Sequence, residues 1–146
     1  MRTVTDQHGI GEMTRDWDLV LATMTDDCVY TFYPYRLQIT GTPAIIELWS
    51  RFFTPSGPLP CFDRSTRIPD TGTTTEYTTD DSFLRVSSSS FVPDDGVKRT
   101  STHVTRFDFE GGLVSAETVF FDSTFMEYID GVFDDVFRSL PGVEVI

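Results

Sequence analysis

Apolar and polar residues alternate in two different rhythms along this chain, and the change between them marks out its elements. Around residues 16–24, Trp17, Val20, Leu21 and Met24 recur at i, i+3, i+4 and i+7, which predicts an amphipathic helix. Asp16 stands where a carboxylate can cap that helix, since it satisfies free N–H groups and suits the positive end of the dipole. A helix over about Thr3 to Met13 is less strongly coded, because Gly9 and Gly11 each cost about 1 kcal/mol relative to Ala. The stretch 26–34, DDCVYTFYP, then reads as a strand of β-branched and aromatic residues ended by Pro34. Gly41 marks a turn. Thr42 and Pro43 open a second amphipathic helix with Ile45, Trp49, Phe52 and Phe53 on its apolar stripe.

Residues 54–72 hold four prolines and two glycines, so irregular chain is expected there, with a short strand at 62–68. Strand patterns resume over 75–92 and return over 97–109 after the turn PDDG at 93–96. A second turn, EGG at 110–112, leads into the last strand, LVSAETVFFD. A terminal helix follows. Its expected face is Phe125, Ile129, Val132, Phe133 and Val136, and Thr124 with Glu127 fits a capping box, while Asp122 is the best-placed cap. Helices first, then an antiparallel meander with one helix inserted after the first strand, is an α+β arrangement. A curved sheet wrapped on helices would use such long, Phe-rich strands. The chain has 146 residues, which predicts one domain spanning 1–146.

Composition narrows the function. The net charge is −12 and Lys98 is the only lysine, so the surface repels phosphate backbones and anionic membranes; nucleic-acid and membrane partners are not expected. No apolar run reaches the ~18 residues of a membrane-spanning helix, and MRTVTDQHGIGE carries no apolar signal core, so a cytoplasmic protein is expected. Two cysteines, Cys28 and Cys61, and two histidines, His8 and His103, are too few for a zinc or iron site of the usual kind, so no metal or cofactor is expected.

The last hairpin carries the most pointed chemistry. If Phe109 and Leu113 flank the turn, opposed residues sum to about 222, so His103 faces Val119 and Thr105 faces Glu117. Ser101, His103, Thr105 and Phe107 then share a face with Ser115, Glu117, Val119 and Phe121. Glu117 and His103 become diagonal neighbours. A Glu–His pair in an apolar cavity can do acid–base work. A solvated face suits the same residues equally well, because Val114, Ala116, Thr118 and Phe120 are also apolar and a one-residue slip reverses the faces. Tyr30, Tyr33 and Tyr35 offer a phenol to a cavity, or simply pack the core. His8 and Glu12 form one helix face at i, i+4, at a pocket mouth or as a surface pair. The run of serines at 87–90 leaves room on its strand for a ligand or another backbone.

Read together, RDWDLVLATMTDDCVYTFYPYRLQITGTPAIIELWSRFF and RFDFEGGLVSAETVFFDSTFMEYIDGV resemble the opening and closing segments of the SnoaL-like branch of the nuclear-transport-factor-2-like fold. HGIGEMTRD resembles that family's first helix. The resemblance covers most of the chain except residues 54–80. It implies a cone-shaped α+β barrel with a deep apolar pocket, which Phe32, Trp49, Phe107, Val119 and Phe121 would line, and it implies a homodimer. Activities in that family include ketosteroid isomerases, polyketide cyclases, scytalone dehydratase and epoxide hydrolases, while some members only bind. Against the epoxide hydrolases, Tyr30 and Arg85 match an Arg and a Tyr, but Val119, Ser87 and Phe32 stand where two acids and an Asn belong. No ketosteroid-isomerase base is evident in VYTFYPYR. The expectation is a cofactor-independent acid–base enzyme, an isomerase, cyclase, dehydratase or hydrolase, acting on an apolar polyketide-, terpenoid- or steroid-like molecule. Glu117 would act with His103, and Tyr30 and Arg85 would polarise an oxygen. A non-catalytic binding or assembly module is the alternative.

Overall fold

The computed structural model describes residues 2–53, 67–68, 74–91 and 96–146. Helix α1 runs Arg2–Thr14 and α2 Trp17–Leu21, followed by strands β1, Met24–Tyr33, and β2, Leu37–Thr40. Helix α3, Thr42–Phe53, precedes β3, Arg67–Ile68, and β4, Thr75–Thr78. Three long strands follow: β5, Ser82–Phe91, β6, Arg99–Glu110, and β7, Leu113–Phe121. The chain ends with α4, Ser123–Ile129, a 3-10 turn over Asp130–Phe133, α5, Asp135–Arg138, and β8, Val143–Val145.

The strands form one curved sheet in the order β3-β5-β6-β7-β1-β2-β8, with β4 also pairing β5. Every pairing is antiparallel except that of β1 with β7, which is parallel. This α+β arrangement, with helices ahead of a mostly antiparallel sheet and a helix after it, is the one expected. The β2 and β8 strands were not. Leu37 and Ile39 are buried alternately with Gln38 and Thr40, a period-2 signal only four residues long.

Local chemistry explains the boundaries. Asp16 caps α2 by accepting from the Leu19 N–H at 3.0 Å. That helix stops at Leu21, so Met24 opens β1, yet it is buried as its helical spacing implied. Gly11 allows α2 to lie against α1: a Cβ there would sit 2.6 Å from Val20 Cγ2. The terminal helix is broken. Asp134 accepts from the Phe137 N–H at 2.7 Å and starts α5, which turns Phe137 inward and leaves Val136 64% exposed. Val136 therefore does not belong to the apolar face. Asp122 caps α4 through the Phe125 N–H at 2.9 Å, and the same carboxylate accepts from Thr102 N–H and Ser101 Oγ on β6. The expected 62–68 strand and the 93–96 turn lie mostly outside the described residues.

The last hairpin differs in register from expectation. Its loop is two residues, Gly111 and Gly112, both at positive φ, and Glu110 pairs with Leu113. A bulge then admits one extra residue on β7 between Val114 and Ala116. Phe107 therefore faces Glu117, Thr105 faces Val119, and His103 faces Phe121. Two single-residue shifts in the same direction restore parity. Glu117 stays on the inner face, while Val114, expected on the other face with Ala116, turns in and is fully buried.

Candidate functional site

Sheet register aligns side chains in rows across neighbouring strands. One row runs Phe83, Phe107, Glu117, Tyr30, Ile39 from β5 to β2. All five are buried, and Glu117 is the only carboxylate among them. Tyr30 and Glu117 are register partners on parallel strands, about 4.8 Å apart at the backbone. Of the two faces open to Glu117, the inner one is thus the one it takes: it is 8% exposed, in a row otherwise built of apolar and aromatic groups.

His8 closes over this row from α1. It is 1% exposed, with its ring 6.2 Å from both Trp49 and Phe107. Its Nδ1 is 2.7 Å from Thr23 Oγ1 and its Nε2 is 2.7 Å from the Tyr30 hydroxyl. Two carboxylates approach the same Nε2, Glu12 Oε1 and Glu117 Oε2, each at 3.5 Å. Burial alone would lower the His8 pKa, but these two carboxylates outweigh it and push the value up to about 10. Burial raises the Glu117 pKa, His8 pulls it back, and the charge of Glu12 raises it again. Burial and then the Glu117 charge drive the Tyr30 phenol well above its ordinary value. Burial pushes the Cys28 thiol up to about 12, and the Glu117 charge adds to it.

Glu117 Oε2 is buried and accepts no hydrogen bond; at 3.5 Å its contact with His8 is an ion pair only. The Trp49 Nε1–H, a donor, is likewise buried and unbonded. Orphaned buried polar atoms cost about 1–3 kcal/mol each, so a donor and an acceptor left open around one histidine make this cluster a candidate site.

No family model matches the chain, and no curated protein is detectably similar in sequence. Solved structures are similar. A protein described as a SnoaL-like polyketide cyclase, from Shewanella denitrificans OS-217, superposes with a TM-score of 0.63 at 11% identity, over 88% of this chain and 96% of that one. An NTF2-like protein from Burkholderia xenovorans LB400 gives 0.62 at 10% identity, over 84% and 88%. TerC, co-crystallised with polyporic acid, gives 0.61 at 15% identity, over 88% and 96%. The chain has the nuclear-transport-factor-2-like fold.

Within that fold the expected residues separate into two groups. Tyr30 and Glu117 meet, with Phe107 and Trp49 packed around the same histidine. His103 does not join them. Its register partner is Phe121, four residues from Glu117, or about 13 Å along the strand. It is half-buried, with its ring 6.2 Å from Phe125. Arg85 lies in the next row, with Thr105, Val119 and Phe32. Its guanidinium is paired with Glu76 at 3.2 Å and Asp6 at 3.3 Å and covers the Phe83 ring. Phe32 stacks against Phe52 and Phe121, and Phe121 against Phe125.

The partner of Glu117 is therefore His8, with Glu12 and Thr23 completing the cluster. The i, i+4 spacing of His8 and Glu12 was the signal that could have found it. His8, Glu12 and Glu117 each offer one ligand atom within 4.8 Å of the others, a spacing a divalent ion could use. Nε2, however, already points at the Tyr30 hydroxyl, which an ion would have to displace. Among the described residues no helix is long and apolar enough to cross a membrane.

Proposed function

We propose that this protein performs cofactor-independent acid–base chemistry on an apolar small molecule of polyketide, terpenoid or steroid type. The observation that carries this reading is the buried, unbonded Oε2 of Glu117 beside a cationic His8 in an aromatic surround. The His8 charge offsets part of the burial that raises the Glu117 pKa, and so favours the ionised form that a base needs. Glu117 takes a proton from a C–H or O–H of the substrate. The electron pair left behind moves onto a substrate oxygen, which the open Trp49 N–H stabilises. Return of the proton to another carbon of the same molecule completes an isomerisation; attack of the enolate carbon on a carbonyl carbon of the same molecule, with the proton passing to the new alkoxide, completes a cyclisation; and collapse of the enolate with cleavage of a β C–O bond, the hydroxyl leaving with the proton as water, completes a dehydration. A small-molecule ligand in a protein of the same fold, polyporic acid in TerC, supports a molecule of this kind.

The test is a panel of apolar carbonyl and hydroxy compounds followed by mass spectrometry and NMR, with Glu117→Gln as the control. The variant is expected to lose about 10²-fold or more in turnover. Turnover unchanged in Glu117→Gln would sink the assignment. A binding module without chemistry is favoured by one feature: the positions matched to the epoxide-hydrolase acids are Val119 and Ser87. It requires every bound ligand to be recovered unchanged. We further propose a homodimer, which sedimentation at micromolar concentration tests; a monomer there counts against it.

A further inference from the structure

We infer that Thr23 is a positioning residue that holds one proton permanently on His8 Nδ1 and so makes Nε2 the only nitrogen through which protons pass. This inference rests on the acid–base reading of the site but is argued from a separate set of contacts.

The Thr23 hydroxyl has one hydrogen to donate, and it donates it to the Val20 carbonyl at 2.5 Å. Toward His8 it can then act only as an acceptor. At 2.7 Å from Oγ1, Nδ1 must be the donor. The Val20 carbonyl is backbone at the end of α2, so the lock is fastened to a rigid element next to the α1–α2 contact at Gly11. Thr23 is itself buried, as are His8 and Tyr30, so water does not compete for these bonds.

The consequence concerns the other nitrogen. Nε2 faces Tyr30 at 2.7 Å and Glu12 and Glu117 at 3.5 Å. These are the titratable groups that face His8 from β1, from its own helix and from β7; α3 and β6 present Trp49 and Phe107, which do not titrate. With Nδ1 fixed, His8 can lose only its Nε2 proton. The neutral ring then takes a hydrogen bond from the Tyr30 hydroxyl, and the cationic ring donates toward the carboxylates. Glu12 is the more exposed of the two, so a proton collected at Glu117 has an exit through one nitrogen to the outer face of α1.

The chain contains two histidines, so nitrogen NMR of ring-labelled protein can be assigned with a single His103→Gln control. The expected result is a His8 ring that, above its pKa, carries its proton on Nδ1 in the wild type and in Thr23→Ser. In Thr23→Val the neutral proton moves to Nε2, and the His8 pKa falls by about one to two units, the loss of one hydrogen bond to a charged group. A wild-type ring protonated on Nε2 when neutral overturns the inference, and so does a Thr23→Val spectrum identical to wild type. If Thr23→Val does not fold, the wild-type and Thr23→Ser tautomers still decide. None of these readings needs a substrate, so they stand apart from the Glu117→Gln turnover test.

Discussion

His8 should make this protein lose stability as the pH rises across the neutral to alkaline range. In the unfolded chain the ring titrates near its ordinary 6.5, and in the folded protein near 10. Between those values the folded state binds the extra proton, so stability falls with increasing pH. The contribution is fully present below 6.5 and gone once the pH passes 10. The gap of 3.5 units (10 − 6.5) corresponds to at most about 5 kcal/mol, at 1.36 kcal/mol per unit. Glu117, also raised, acts with the same sign, because a carboxyl that holds its proton longer when folded loses its contribution as the pH climbs. The two groups share one cluster, so their effects are not additive, and the His8 figure of about 5 kcal/mol is not summed with a second one for Glu117. That is a large part of the ~5–15 kcal/mol stability of an ordinary domain. Urea unfolding of the wild type at a series of pH values from about 6 to about 10 measures it, with His8→Gln as the reference. A steep decline in the wild type and a much flatter curve in His8→Gln are expected. A flat wild-type curve, or equal slopes in both proteins, would refute the ion-pair account of this cluster.

Four further outcomes follow from the contacts. Gly9→Ala should stabilise by about 0.5–1 kcal/mol, since open space surrounds its Cβ position within α1. Gly11→Ala should instead cost about 1–3 kcal/mol, because its Cβ would overlap Val20 at 2.6 Å; thermal unfolding in the opposite order would show that α1 and α2 are not so packed. Asp122→Ala should cost about 2 kcal/mol by removing the cap of α4 and its tie to β6. The Asp122 carboxyl lies below its ordinary range, where its backbone and Ser101 donors outweigh its burial, so its contribution is lost as the pH falls and the gap to wild type should close in acid. Gly142→Ala should cost more than about 2 kcal/mol, because φ is +87° and the new Cβ would fall 2.1 Å from the Thr40 carbonyl oxygen that borders β2. Melting temperatures read all four, and wild-type stability in Gly142→Ala would mean β8 is not held at that edge.

Much of the fold is legible in the chain because its signals are local. Asp16 and Asp122 are caps whose partners lie three residues away, and both caps form. The aromatic strand 26–33 and the hairpin around Gly111 and Gly112 also form where the pattern places them. What escaped depends on distant chain. The parallel contact of β1 with β7 joins residues nearly ninety positions apart, and no periodicity announces it. Strand β8 exists because β2 offers it an edge. The terminal helix breaks because Asp134 is recruited by Arg51, 2.8 Å away on α3, and caps a new turn.

The site shows the same division more sharply. The strand pattern leaves Glu117 either inside or on a solvated face; the structure puts it inside, and the inward alternative survives a register wrong by two, since only odd shifts exchange the faces. The identity of its partner does not survive. Each residue of slip moves an opposed side chain by about 3.3 Å, so a shift of two carries His103 out of reach while leaving its orientation unchanged. Nothing within a hairpin specifies what lies above the sheet. That is set by the helix that crosses it, and α1 crosses where Gly11 admits α2. The two glycines that weaken α1 as an isolated helix thus have different reasons: Gly11 is required for the approach, whereas Gly9, one residue from His8, meets nothing. A helix that is poor by propensity but placed by packing can hold a buried ionisable group over the sheet, because the close approach of Gly11 to Val20 fixes α1 independently of the charged cluster.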